Sequence, residues 1–196
     1  MVEKMNKAKD KREKIIKKAR EIFSRFGFRK TSMKDIAHSL RMGKASLYYY
    51  FKSKQDIFKG VVESESQVYF DSLKKELNRK DDPVEKLRYF AQIKMKKLKE
   101  RANYYATMRD EYLKGYNFIE EIRERELQKE KSLIESILEE GVKIGKFLIE
   151  DISTTAEAIV TALTGLELKW TRGKSINAVK KDAENLISIL YKGVQK

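Results

Sequence analysis

No cysteine occurs in the 196 residues, which excludes disulfide frameworks, thiolate nucleophiles and cysteine-bound metals. Histidine is reduced to His38, leaving almost nothing from which to build a zinc site or a Ser/His/Asp triad. A glycine-rich phosphate loop is also missing, so the sequence predicts no catalytic residue, no metal, no cofactor and no enzyme. No stretch approaches the roughly 18 apolar residues of a membrane span, and the first residues, MVEKMNKAKDKREK, lack the apolar segment of an export signal. A cytoplasmic protein with no membrane partner is expected. With one proline, Pro83, the chain also lacks the residue that most often breaks helices.

What the chain has instead is 38% charged residues together with abundant Leu and Ile, a composition that predicts an almost wholly helical protein. Its formal net charge of +14 is unevenly spread. Residues 1 to 54 hold 17 of the 44 Lys/Arg and 5 of the 30 Asp/Glu, a net of +12, whereas the other 142 residues carry +2. The split points to a polyanion-binding head on a nearly neutral body.

Periodicity places the helices. Ile15, Ile16, Ala19, Ile22, Phe23 and Phe26 make one apolar face of a helix over about 7–26, which Gly27 stops. Met33, Ile36, Ala37 and Leu40 define a short second helix opened by a Ser32/Asp35 capping box, with His38 on its solvated side. A third helix over about 44–50 turns Leu47, Tyr48 and Phe51 inward, and Ser53 with Asp56 opens a fourth that runs to about 78. Asp82 and Pro83 start a fifth helix to about 101, followed by helices near 103–114 and 118–144. Thr154 with Glu157 reads as a capping box for a helix that reaches Trp170, and the last helix spans 176–194. The short FLI at 147–149 is the sole strand candidate.

The fold class is therefore all-α: a three-helix head over 1–53 with a helix-turn-helix, and a helical domain over 54–196, about nine helices together. The C-terminal hairpin, with Leu163, Leu166, Leu186, Ile187 and Leu190 on its apolar faces, would form a four-helix bundle with a second copy.

The stretch FGFRKTSMKDIAHSLRMGKASLYYYFKSKQDIF makes the reading specific. Through Phe26-Gly27-Phe28, Thr31-Ser32, Asp35-Ile36-Ala37, Leu47-Tyr48, Tyr50-Phe51 and Lys54 it resembles the N-terminal signature of the TetR family of transcriptional regulators over about residues 12–60. The resemblance implies a homodimer whose head binds palindromic double-stranded operator DNA, and a C-terminal domain that binds a small-molecule effector and lowers DNA affinity. The sequence departs from the family pattern twice. Arg41 stands where glycine is usual, which calls for a left-handed residue at a cost of about 1 kcal/mol, and Gly43 stands where a capping serine is common.

Within the head, Lys44 is placed to reach guanine O6 or N7, and small Ala45 and Ser46 allow close approach to base edges. Tyr49 and Tyr50 carry hydroxyls suited to phosphate oxygens. Lys54, and Thr31 with Ser32, lie at helix starts that already favour an anion, and all are expected as phosphate contacts. In the second domain, Tyr105, Met108, Arg109, Tyr112 and Trp170 are the expected ligand pocket, although the same aromatics also fit a packed core. An apolar or amphipathic effector is expected; a carboxylate would suit Arg109, and a flat cation would suit the tyrosine faces. Rival readings are a constitutive DNA-binding protein without effector and a basic helical interaction module. Effector, operator and sign of regulation are not legible.

Overall fold

The computed structural model describes the chain except residues 1, 99, 111, 112, 114, 195 and 196. Among the described residues it is all-helical, with nine helices: α1 Val2–Phe26, α2 Met33–Ser39, α3 Lys44–Tyr50, α4 Lys54–Leu77, α5 Pro83–Lys96, α6 Ala102–Arg109, α7 Asn117–Lys143, α8 Ile152–Thr171 and α9 Ile176–Val194. None is long and apolar enough to cross a membrane. The chain falls into two compact units, Met1–Gln67 with Arg101–Tyr104, and Val68–Glu100 with Tyr105–Lys196. α4 and α6 each contribute residues to both.

In the first unit, α1 buries Ile15, Ala19, Ile22 and Phe23 on the face that the 3.6-residue period predicts. Phe26, expected on that face, is 54% exposed, because the helix is already ending there. Gly27 then takes φ +81, and its amide donates to the Phe23 carbonyl at 2.8 Å. The core centres on Phe23, Phe28 and Phe58, whose ring centroids lie 4.9 to 5.7 Å apart, with Ile36, Leu47 and Phe51 buried around them. Gly60 on α4 lets α1 approach, since a Cβ there would stand 3.1 Å from the Ile16 side chain.

A buried polar staple holds the start of α6 in this unit. The Glu65 carboxylate, on α4, accepts from Asn103 Nδ2 at 2.8 Å and from the Tyr104 amide at 2.9 Å, and Arg20 Nε lies 3.2 Å away. Asn103 also donates to Ser24 Oγ at 2.9 Å. Burial pushes the Glu65 carboxyl above its usual value, while the bonds from Asn103 and Tyr104 and the charges of Arg20 and Arg101 pull it back.

The second unit packs α5 against α7 and α9, and α8 against α7 and α9. Asp82 caps α5, accepting from the Val84 amide at 3.0 Å ahead of Pro83, as the sequence predicts. The helix stops at Lys96, five residues before the expected end at 101. The start of α8 is a correction: Asp151, not Thr154, is the N-cap, and its carboxylate accepts from the Thr154 amide at 2.9 Å. A carboxylate three residues upstream out-competes the T-x-x-E pattern because it reaches the same orphan amide with a full charge. At the end of α7, Gly141 leaves room for Phe147, whose ring occupies the place a side chain would take.

Candidate nucleic-acid interface

The helix-turn-helix is built from capping chemistry. Ser32 Oγ accepts from the Asp35 amide at 3.2 Å, and the Asp35 carboxylate accepts from the Ser32 amide at 2.8 Å, closing the capping box of α2. Those hydrogen bonds hold the Asp35 carboxyl below its usual value. At the other end, the Met42 amide donates to the Ala37 carbonyl at 2.9 Å and the Arg41 amide to His38 at 3.0 Å. That pair of bonds is a Schellman motif, and it requires the left-handed residue that the sequence anticipates: Arg41 has φ +51, the sole non-glycine positive φ among the described residues. Gly43 then opens α3 in an extended conformation, without a side-chain cap.

α3 buries Leu47 and leaves Lys44, Ala45, Ser46, Tyr48 and Tyr49 exposed. The expected base readers thus share the open first turn of one helix. A hollow of about 610 Å³ beside it is lined by Lys11, Arg41, Gly43, Ala45, Ser46 and both Tyr49 and Tyr50. Lys44 leans the other way, with Nζ 5.8 Å from the Tyr48 ring centroid. Tyr48, expected inward, is 44% exposed, because Leu47 and Phe51 already fill the core beneath α3. Tyr49 is 81% exposed and stands edge-on to half-buried Tyr50 at 5.1 Å. Arg12 pins the end of the helix, donating to the Tyr50 carbonyl at 2.9 Å while its guanidinium lies 4.0 Å over the Phe51 ring.

Two expected phosphate ligands have structural employment. Thr31 is buried, and its hydroxyl donates to the Gly27 carbonyl at 2.8 Å, so it fastens the turn before α2. Lys54 Nζ donates to the carbonyls of Phe28 and Thr31, each at 2.9 Å, and sits 4.2 Å over the Phe28 ring. One of its three ammonium protons is left for an anion. Ser32 is exposed, but its hydroxyl is bonded to Asp35 Oδ2 at 2.6 Å. Arg41, Lys11 and Arg12 are the cations that a reading centred on residues 44 to 54 underweights. Their signal was the left-handed turn position and the basic face of α1.

In the second unit, Tyr105 donates to Glu167 and meets Trp170 edge-on at 5.5 Å. Tyr112 and the side chains of Met108 and Arg109 lie outside the described residues. Beside Tyr105 is a buried polar group that the sequence reading missed. Lys94 Nζ donates to Glu130 at 2.6 and 2.7 Å and lies 3.2 Å from Glu167, and Tyr69 donates to Glu130 at 2.7 Å. A signal existed: Lys94, Glu130 and Glu167 each continue an apolar stripe, after Phe90 and Ala91, before Ile134, and after Leu163. A charge at such a position is buried and must be paired.

An exposed α3 carried on a helix-turn-helix, with cations and phenols around its first turn, is the arrangement of a DNA-binding head. Residues 15–61 match the family described as bacterial regulatory proteins, tetR family. That match and the relatives below support a TetR-family transcriptional regulator, a class of DNA-binding proteins that are not enzymes.

The chain is 24% identical over 191 residues to the HTH-type transcriptional regulator QacR of Staphylococcus aureus, covering 94% of this chain and 98% of that one. It is 37% identical over 62 residues to IcaR of Staphylococcus epidermidis, a negative transcriptional regulator of the biofilm operon icaADBC. That second match covers 32% of this chain and about a third, 34%, of the relative. A transcriptional regulator from Cytophaga hutchinsonii superposes with a TM-score of 0.77 at 27% identity, over 94% of this chain and 98% of the other. One from Saccharomonospora viridis, solved in complex with choline, gives 0.81 at 20% identity over 96% and 99%.

Proposed function

We propose that the chain is a cytoplasmic, homodimeric repressor that binds a palindromic operator and releases it when a small amphipathic effector occupies the second unit. The observation that carries the reading is the open first turn of α3, where Lys44, Ala45 and Ser46 face solvent beside a hollow rimmed by Lys11, Arg41 and Tyr49. Lys44 and Arg41 reach bases and phosphates, Ala45 and Ser46 permit close approach, and Tyr49 and the remaining Lys54 proton hold the backbone. Two heads would engage successive major grooves about 34 Å apart. Effector binding favours a state of lower operator affinity, a shift in population that needs only differential affinity for the two states.

An organic cation is the favoured effector class. Tyr105, fully buried, and half-buried Trp170 supply the aromatic rings, and Glu167 and Glu130 outnumber Lys94 in the same buried group. The choline-bound relative of like fold supports that choice. The dimer face is assigned to the outer side of α8 and α9. Leu163, Leu166 and Ile187 are already buried in their own unit, which leaves half-buried Leu186 and Leu190 beside Ile189, 69% exposed. Selection of bound sequences from random DNA, followed by titration with quaternary ammonium and acyl carboxylate ligands, tests the reading. Enrichment of an inverted repeat, released by cations, is expected; a bound sequence without dyad symmetry, or no release by either class, overturns it.

A further inference from the structure

Between α5 and α9 lies a groove of about 210 Å³ that shares no residue with the Tyr105 and Trp170 group. Its floor is Ala91, Met95, Ala183 and Ile187. Small Ala91 on α5 and Ala183 on α9 both line it, where larger side chains would take up its space. Its rim carries Arg88, Lys96 and Lys180 against one acid, Glu184. Among the described residues Lys96 and Lys180 make no ion pair or hydrogen bond, and Arg88 holds Glu85 only at 3.5 Å. An apolar trough with two uncommitted ammonium groups at its edge is complementary to a molecule with a short hydrocarbon body and one negative end.

We propose that this groove is a second small-molecule site, taking an amphipathic organic monoanion such as a short-chain carboxylate. Size supports that class: an apolar cavity of about 150 Å³ holds benzene, so the groove admits roughly eight non-hydrogen atoms, the size of hexanoate. The hydrocarbon lies over Met95 and between the alanines, and the carboxylate takes hydrogen bonds from Lys96 and Lys180. Glu184 opposes an anion, which sets the affinity below what three cations alone would give. The site is independent of the effector reading, since it uses neither the buried glutamates nor DNA.

Methyl-labelled methionine NMR of the full chain tests the inference with hexanoate as probe, because Met95 is the methionine in the groove and Met42 lines the basic hollow of the head. The expected result is a saturable shift of the Met95 methyl with hexanoate, none with hexylammonium, and an unmoved Met42. Lys96→Glu with Lys180→Glu should weaken binding at least tenfold, and Glu184→Gln should strengthen it. Ala183→Leu should abolish it by filling the trough, and the surface charge variants carry the test if that variant does not fold. A Met95 methyl that stays put, responds equally to hexylammonium, or moves together with Met42 overturns the proposal.

Discussion

Lys54 and Lys44 are eleven and one residues past the same glycine, and the structure gives them different work. Lys54→Ala removes two hydrogen bonds to carbonyls as well as a positive charge. It should weaken binding to every operator alike, reduce the salt slope by about one, and lower head stability by about 1–2 kcal/mol in denaturant unfolding. Lys44→Ala should leave stability unchanged and cost roughly 1–3 kcal/mol at particular bases only, read by binding to a panel of operator variants. Equal loss at every base by both variants would refute that division. At Arg41, φ +51 costs about 1 kcal/mol, so Arg41→Gly should raise the melting temperature while weakening operator binding through the lost cation. Residue identities at special backbone positions were legible because one turn geometry demands them. The employment of Lys54 was not, since carbonyls 23 and 26 residues distant are invisible to local spacing.

For the elements, apolar period and capping residues carried most of the fold. α9 has the bounds its pattern predicts, because the chain alternates buried Val179, Ala183 and Ile187 with solvated lysines. At the start of α8 a competing local group, Asp151, decided the boundary. The end of α7 depends on a contact that no periodicity encodes. Gly141→Ala would place a Cβ inside the Phe147 ring position and should destabilise the second unit by about 1–3 kcal/mol, measured by thermal unfolding. Recovery in a Gly141→Ala, Phe147→Ala double variant relative to the sum of the singles would locate the cost in that pair.

The molecule as a whole shows its charge distribution openly in sequence and hides its buried ions. Glu65 is the case with a pH consequence. Its carboxyl is raised in the folded state, so the folded head keeps a proton that the unfolded chain has released above the usual value of 4.5. Its contribution to stability is therefore greatest below that value and declines as pH rises through the folded one. Glu65→Gln should flatten this part of the profile, so the stability difference between wild type and variant, followed by urea unfolding across pH 4 to 7 at about half-unit steps, should slope downward. An upward slope would mean that the ionised form is the better partner for Asn103 and Tyr104. The proposed dimer face is a different surface: Ile189→Glu places a charge on the exposed face of α9 and should yield monomers by sedimentation, with operator affinity reduced at least tenfold. A dimer that survives it moves the interface off α9.

The seat of Lys54 has one more consequence, in chemical reactivity. An amine held by two carbonyls and covered by the Phe28 ring is hard for an acylating reagent to approach, whereas Lys44 stands in solvent. Acetylation of the native head would therefore reach Lys44, the proposed base reader, before the fastening Lys54. A charge-neutralising modification could then silence recognition while the helix-turn-helix stayed folded.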